Sequence, residues 1–300
     1  MITLNDNRAK VLKHVLSIAG EILDLTKEDW FSRAVDTSND EDWFIHKNLN
    51  EQWVSSEQTP DDEEKLYTSP EYALDICKCY THWTKGSVRS TVAGILDIRK
   101  QIPGFGDGWT FVDYFAGVGL SSIYLAQQLT AAGIDAKVIY HNNASNKTQV
   151  ALAKRFHKEF GSPSNLSMHL NSSQPKADFY LFYEIFEHIR EPWSFVEGLL
   201  KKHQPKAILH VSRFNLPLVS GHFKNYTFDG KVLSGKNASR EFEARFKPAG
   251  YVRTDIPQLF NGVPRVQIRK DIIPSSVTYS NMIWNMKLQK KLEKNKQAII

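Results

Sequence analysis

Four short stretches of this chain carry side chains that can do chemistry. The first is Asp113 and the turn that follows it through Tyr114, Phe115, Ala116, Gly117, Val118 and Gly119. The second is His141-Asn142-Asn143. The third joins Glu184 to Glu187 and His188, and the fourth runs from His210 and Arg213 to His222 and Tyr226. A carboxylate buried at a strand end is costly unless something pairs with it, so Asp113 demands a partner. Gly117 and Gly119 can take positive φ and leave no Cβ in the way of a ligand. The exposed amides of a following helix add a partly positive surface. Two glycines in such a turn also describe a tight strand-to-helix connection with no ligand at all, so the other stretches must decide.

The elements around these stretches alternate. Phe111, Val112 and Tyr114 make a β-prone run, and a helix starts near Ser121. The spacing predicts a second strand over 136–140, a helix over 145–160 and a short third strand over 166–170. Residues 177–183 form a nearly continuous apolar run, as a strand buried on both faces should. A helix over 192–203 and a strand over 207–211 complete the series. Strands alternating with helices at this spacing mean a parallel, doubly wound sheet. In such sheets ligands sit beyond the carboxyl ends of the strands, and each of the four stretches follows a strand. They should line one crevice. A helix over 240–246 and two strands, 250–256 and 264–269, facing each other across Asn261 and Gly262, end the series as a hairpin.

Residues 1–84 read as a helical and irregular extension. Apolar residues at helical spacing predict a helix over 8–27, whereas 28–66 is acidic, rich in tryptophan and without clear period. Trp30, Phe31, Trp43, Phe44 and Trp53 can dock this segment on the main domain or on a protein partner, and docking within the chain is the favoured outcome because aromatic rings bury large areas. Ser69 and Pro70 suit a helix start, and Val88, Val92, Ile95 and Ile98 give a later helix its apolar face. Residues 85–270 form the main domain, and 271–300 read as a basic helical tail.

The chain of 300 residues has a formal charge of +5, with acidic residues crowded into the first 65 positions and a basic last third. That balance is compatible with an anionic partner. No apolar run reaches the ~20 residues of a membrane span, and no signal peptide is apparent. Cys77 and Cys79 are too close for an ordinary bridge and too few for a zinc site, so no metal is expected and a reducing cytoplasm fits.

The run from Phe111 to Gly119, the segment from Asp178 to Ile189 and the final hairpin together resemble a class I S-adenosylmethionine-dependent methyltransferase, over roughly residues 85–270. The resemblance implies a Rossmann-like, mostly parallel sheet of seven strands whose last two form an antiparallel hairpin. It implies S-adenosylmethionine held by Asp113, Phe115, Ala116, Gly117, Gly119, Asn142 and Glu184. His188 and Glu184 become the catalytic candidates, His188 as a base or as a shaper of the crevice. His210, Arg213, His222 and Tyr226 become acceptor-side candidates. Two departures stand out. Phe115 replaces the first glycine of the usual turn, which brings it closer to the Phe-Ala-Gly turn of nucleic-acid methyltransferases, although no Pro-Cys or Asp-Pro-Pro-Tyr motif follows. His141-Asn142-Asn143 stands where the family usually has an acidic residue for the ribose, so Asn142 offers a hydrogen bond without charge assistance. The acceptor is then a nucleic acid or nucleotide, suggested by the turn and the basic last third, or a small molecule, suggested by the Glu-His segment. The alternative is a binding or structural protein that keeps the fold without catalysis.

Overall fold

A run of Trp109, Phe111 and Val112 can be buried from both faces, and it forms β1 (Trp109–Asp113) at the centre of the sheet. The computed structural model describes residues 2–23, 44–79, 85–216, 219–255 and 265–277. From β1 the chain passes through α6 (Leu120–Ala131) to β2 (Ala136–His141), then α7 (Lys147–Phe160) to β3 (Leu166–His169). It returns to the far side of β1 as β4 (Phe179–Tyr183), crosses through α8 (Pro192–His203) and adds β5 (Ala207–Val211). The sheet ends with β8 (Tyr251–Asp255) and β9 (Arg265–Arg269), in the order β3-β2-β1-β4-β5-β9-β8. β1 to β5 run parallel, whereas β9 is antiparallel to both β5 and β8. This is the class I methyltransferase topology, as the resemblance implied. The turn at Asn261 and Gly262 and the tail beyond 277 lie outside the described residues.

The order of strands reverses between β1 and β4, so their carboxyl ends diverge and leave a crevice. The turn from β1 into α6 has little freedom. Gly119 has φ 76, and a Cβ there would lie 3.2 Å from Ala153 Cβ and from the Tyr140 ring. Glycine is required by both backbone and packing.

The N-terminal extension is more regular than its composition suggests. α1 (Arg8–Ile22) is followed, after residues that are not described, by α2 (Phe44–Ser55), α3 (Pro60–Thr68), α4 (Pro70–Cys79) and α5 (Lys85–Arg99). The irregular segment expected over 28–66 is therefore helical over much of its second half. Thr59 starts α3 with a reciprocal cap: its hydroxyl receives the Asp62 amide, and the Asp62 carboxylate receives the Thr59 amide. Ser69 does the same duty for α4, accepting from the Tyr72 amide at 3.1 Å.

These helices form a roof over the crevice and are tied to the loop after β5. Trp53 is buried, and its indole N–H donates to the His222 carbonyl at 2.7 Å. The Ser220 amide donates to Asn50 Oδ1 at 2.7 Å. Arg190 lies 3.5 Å from Glu63 and 4.1 Å over the Phe223 ring. Trp53 thus docks within the chain; Trp30, Phe31 and Trp43 lie outside the described residues. A small antiparallel pair, β6 (Tyr226–Phe228) and β7 (Lys231–Leu233), and α9 (Gly235–Ala244) precede the hairpin. Neither three-residue strand was expected, and α9 starts before the helix expected at 240. No helix among the described residues is long and apolar enough to cross a membrane.

Trp53 should be the roof's main anchor. Trp53→Phe keeps an aromatic ring but loses the hydrogen bond and the pyrrole half of the indole, for an expected loss of about 1–3 kcal/mol. Trp53→Ala removes ring and hydrogen bond together and should lose about 3–5 kcal/mol. Urea denaturation of the three proteins checks the order; equal stability of all three would contradict the anchoring.

Candidate functional site

Asp113 ends β1, is almost fully buried and finds its partners in the first turn of α6. Ser121 and Ser122 both donate their hydroxyls to Asp113 Oδ2, Ser122 at 2.7 Å. Burial raises this carboxyl to about 6, with the two serines pulling against the rise. Oδ1 accepts from none of the described residues, on a side chain that lines the crevice. Between them the strand end and the helix start fix the turn. The Gly117 carbonyl accepts from the Tyr140 hydroxyl at 2.8 Å and from Asn142 Nδ2 at 3.0 Å.

The crevice is a cavity of about 1030 Å³. One side is built from strand ends: Asp113 to Gly117, Asn142, Tyr183, Glu184, Ile185, His188 and Arg213. The other comes from the roof, including Asn50, Tyr67, Tyr72, Ile76 and Ser87. Phe115 (φ 51) and Glu184 (φ 56) hold left-handed backbone at the ends of adjacent strands. Each costs on the order of 1 kcal/mol for a residue with a Cβ, and both line the cavity. Two such residues on one wall make this cavity the candidate functional site.

Asn142 stands at the carboxyl end of β2, where the ribose-binding carboxylate would be, and it is already committed. Nδ2 also lies 3.1 Å from Gln149 Oε1, while Oδ1 accepts from the Asn143 amide at 2.8 Å and from Asn146 Nδ2 at 3.1 Å. Asn142, Asn146 and Gln149 all line the cavity, so its β2 wall is a cluster of carboxamides. His141 takes no part. It is buried and stacks on Tyr114 with ring centroids 4.1 Å apart. Burial and then neighbouring His169 hold its imidazole down at about 4.

After β4 two carboxylates share one arginine. Arg213 Nη2 lies 2.8 Å from Glu184 Oε1, and the Arg213 backbone amide donates to Glu187 Oε1 at 3.2 Å. Glu184 keeps 34% of its side chain open, yet enclosure by protein still raises its carboxyl against the pull of Arg213. Glu187 is fully buried, and its Oε2 accepts from none of the described residues. Burial, and then the charge of Glu184, push it up to about 8. At neutral pH Glu187 is thus a neutral acid.

Of the acceptor-side candidates, Arg213 and His222 line the cavity, but His210 and Tyr226 do not line it. His210 is buried among Phe186, Phe242 and Phe246, with Nε2 3.2 Å from Glu243. Tyr226 is buried in β6 against Phe214, with its hydroxyl 3.3 Å from the Glu187 carbonyl. Gly119 serves packing and the helix start and is likewise absent from the cavity wall. Sequence reasoning missed Tyr67, Asn146 and Gln149. Tyr67 lay just past the segment read as irregular and before the helix expected at 69, and the two amides sat on a helix face with nothing to mark them.

No protein-family model matches the chain, and no curated protein matches it. Among solved structures it overlaps magnesium protoporphyrin IX methyltransferase from Synechocystis PCC 6803 with bound SAH, at 16% identity and TM-score 0.43, covering 65% of this chain and 87% of that one. An O-methyltransferase family protein from Burkholderia thailandensis overlaps at 13% identity and TM-score 0.46, covering 81% of this chain and 73% of that one. The DhpI–SAH complex overlaps at 13% identity and TM-score 0.43, covering 69% of this chain and 95% of that one. The fold assignment rests on the strand order and not on these overlaps.

Glu187 gives a pH test. Its folded form holds a proton up to about pH 8, whereas an unfolded glutamate releases it near 4.5. Between these values the folded state binds more protons, so the group's contribution to stability falls as pH rises. Glu187→Gln removes that loss. Relative to the unsubstituted protein it should gain on the order of a few kcal/mol between pH 5 and pH 9. Denaturant titrations across that range measure the difference, and a constant gap would contradict a protonated Glu187.

Proposed function

We propose that this chain is an S-adenosylmethionine-dependent methyltransferase acting on a small-molecule acceptor. The observation that carries the reading is the cavity at the β1/β4 switch point, placed between Asp113 and Glu184 in a sheet of methyltransferase topology. Its volume of about 1030 Å³ suits a nucleoside-sized cofactor together with a modest acceptor. Asp113, Phe115, Ala116, Gly117 and Glu184 would hold the amino-acid half of the cofactor. Asn142, Asn146 and Gln149 would face its nucleoside with neutral carboxamides. Bound there, the cofactor supplies a methyl group on a sulfonium. The chain's own part is alignment, since a direct displacement gains most from holding its two partners in line. The roof excludes water from the same space.

The roof also favours a small molecule over a nucleic acid. Tyr67, Tyr72, Asn50 and Ile76 add a roof-side wall to the cavity, which leaves less room for a long polymer. The rival reading, a binding protein that has kept the fold, draws on Asn142, whose carboxamide braces the glycine turn and offers no charge for ribose. In that case the acidic N-terminal segment would meet a protein partner.

Calorimetry separates the readings. S-adenosylmethionine and S-adenosylhomocysteine should both bind, and Asp113→Asn should weaken both at least tenfold. Gly117→Arg should abolish binding, because a Cβ there already lies 3.3 Å from Ile76 and φ is +49. Silence from both compounds at millimolar concentration rules out the enzyme. If they bind, a salt-dependent mobility shift with transfer RNA or duplex DNA would replace the small-molecule acceptor by a nucleic acid.

A further inference from the structure

We propose that Tyr67 is a positioning residue for the cavity imidazole: its phenol proton goes to His188 Nδ1 and thereby fixes the proton of His188 on Nε2. Three separate segments converge to make this contact. Tyr67 comes from α3 in the roof, His188 from the turn after β4, and Gly221 from the loop that the roof grips. The Tyr67 hydroxyl lies 3.1 Å from His188 Nδ1, and the two rings meet edge to face at 6.1 Å. Gly221 makes the approach possible. At φ +81, a Cβ on it would fall 2.5 Å from His188 Nδ1 and 2.9 Å from the Tyr67 hydroxyl.

The direction of the bond follows from what each partner has to give. Burial keeps the Tyr67 hydroxyl well above its ordinary range, so it stays a phenol with a proton to place. Among the described residues, His188 Nδ1 is the acceptor that this proton has. Burial also holds the imidazole down at about 4, offset in part by the Gly221 backbone, so His188 is neutral at physiological pH. A neutral imidazole carries one N–H, and with Nδ1 receiving the phenol the N–H must be Nε2. A proton on Nδ1 would instead turn the phenol hydrogen into the cavity, where none of the described residues accepts it. Tyr72, edge-on to Tyr67 at 5.2 Å, and His222, edge-on to His188 at 4.8 Å, flank the pair on either side.

The consequence for substrate rests on the methyltransferase reading. His188 is then a hydrogen-bond donor in the cavity and not a base, which was one of its two expected roles. The acceptor molecule it recognises presents a lone pair there: a carbonyl, carboxylate, ether oxygen or unprotonated ring nitrogen. Deprotonation of the acceptor, where needed, falls to another group or to water.

The tautomer can be read directly on the full-length, ligand-free protein labelled with ¹⁵N at histidine. Long-range ¹H–¹⁵N spectra at pH 7 should show His188 Nδ1 at the shift of an unprotonated imidazole nitrogen and Nε2 at that of a protonated one. His188→Gln identifies the signals by their loss. Should that variant not fold, nuclear Overhauser contacts to the Tyr67 ring identify them instead. In Tyr67→Phe both shifts should move toward the average of the two tautomers. The reverse pattern in the unsubstituted protein, or spectra unchanged by Tyr67→Phe, would overturn the proposal. Because no ligand takes part, this outcome is independent of whether S-adenosylmethionine binds.

Discussion

Burying the charge of Asp113 is the constraint around which the centre of the molecule is arranged. A carboxylate at the end of an inner strand has no water to solvate it, so hydroxyls must be brought to it within a few residues. Ser121 and Ser122 do this from the first turn of α6, which fixes where that helix begins. The chain between strand and helix is then too short for ordinary backbone, and it spends positive φ at Phe115, Gly117 and Gly119. Tyr140 and Asn142 grip the Gly117 carbonyl from the end of β2, so the turn is held from the neighbouring strand as well. The position that could have carried a ribose carboxylate is used instead to hold the turn in shape.

Two other buried carboxylates show how their neighbours decide ionisation. Burial pushes Glu243 up, but His210, Arg265 and Arg253 converge on it and hold it down at about 2. Glu187 is buried at least as deeply and shares a single arginine with Glu184, so it rises to about 8. One site is an ionic clamp between α9 and the hairpin. The other keeps a neutral acid behind the cavity. His210 belongs to the first, which is why it is absent from the cavity although it follows the right strand.

The sheet was legible because its strands carry strong apolar runs separated by helices of ordinary length. The partners of Asp113 were also in view, since Ser121 and Ser122 lie within the motif that raised the question. His210 was not legible. β5 is buried at every position, so no alternation reveals which side chains face the cavity. Tyr226 failed for a related reason, because a three-residue strand is too short to show a period. The roof was hidden by composition: α3 begins with Asp61, Asp62, Glu63 and Glu64 and buries only Leu66 among its described side chains. Its Thr59–Asp62 capping box was the available signal. Tyr67 acquires its role only through a residue 121 positions away, a pairing that no local pattern records.

The grip between the roof and the loop after β5 also bears on how the chain is made. Trp53 leaves the ribosome long before His222, whose carbonyl it needs 169 positions later. Until then the roof helices can pack only on one another, and the Trp53 indole N–H lacks its acceptor. An amino-terminal segment completed only by the second half of the sheet reverses the usual order in which the first-made part folds first. The dense acidic charge around Trp53, at Glu51, Glu57, Asp61 and Asp62, suits that interval, because it keeps the waiting segment in water.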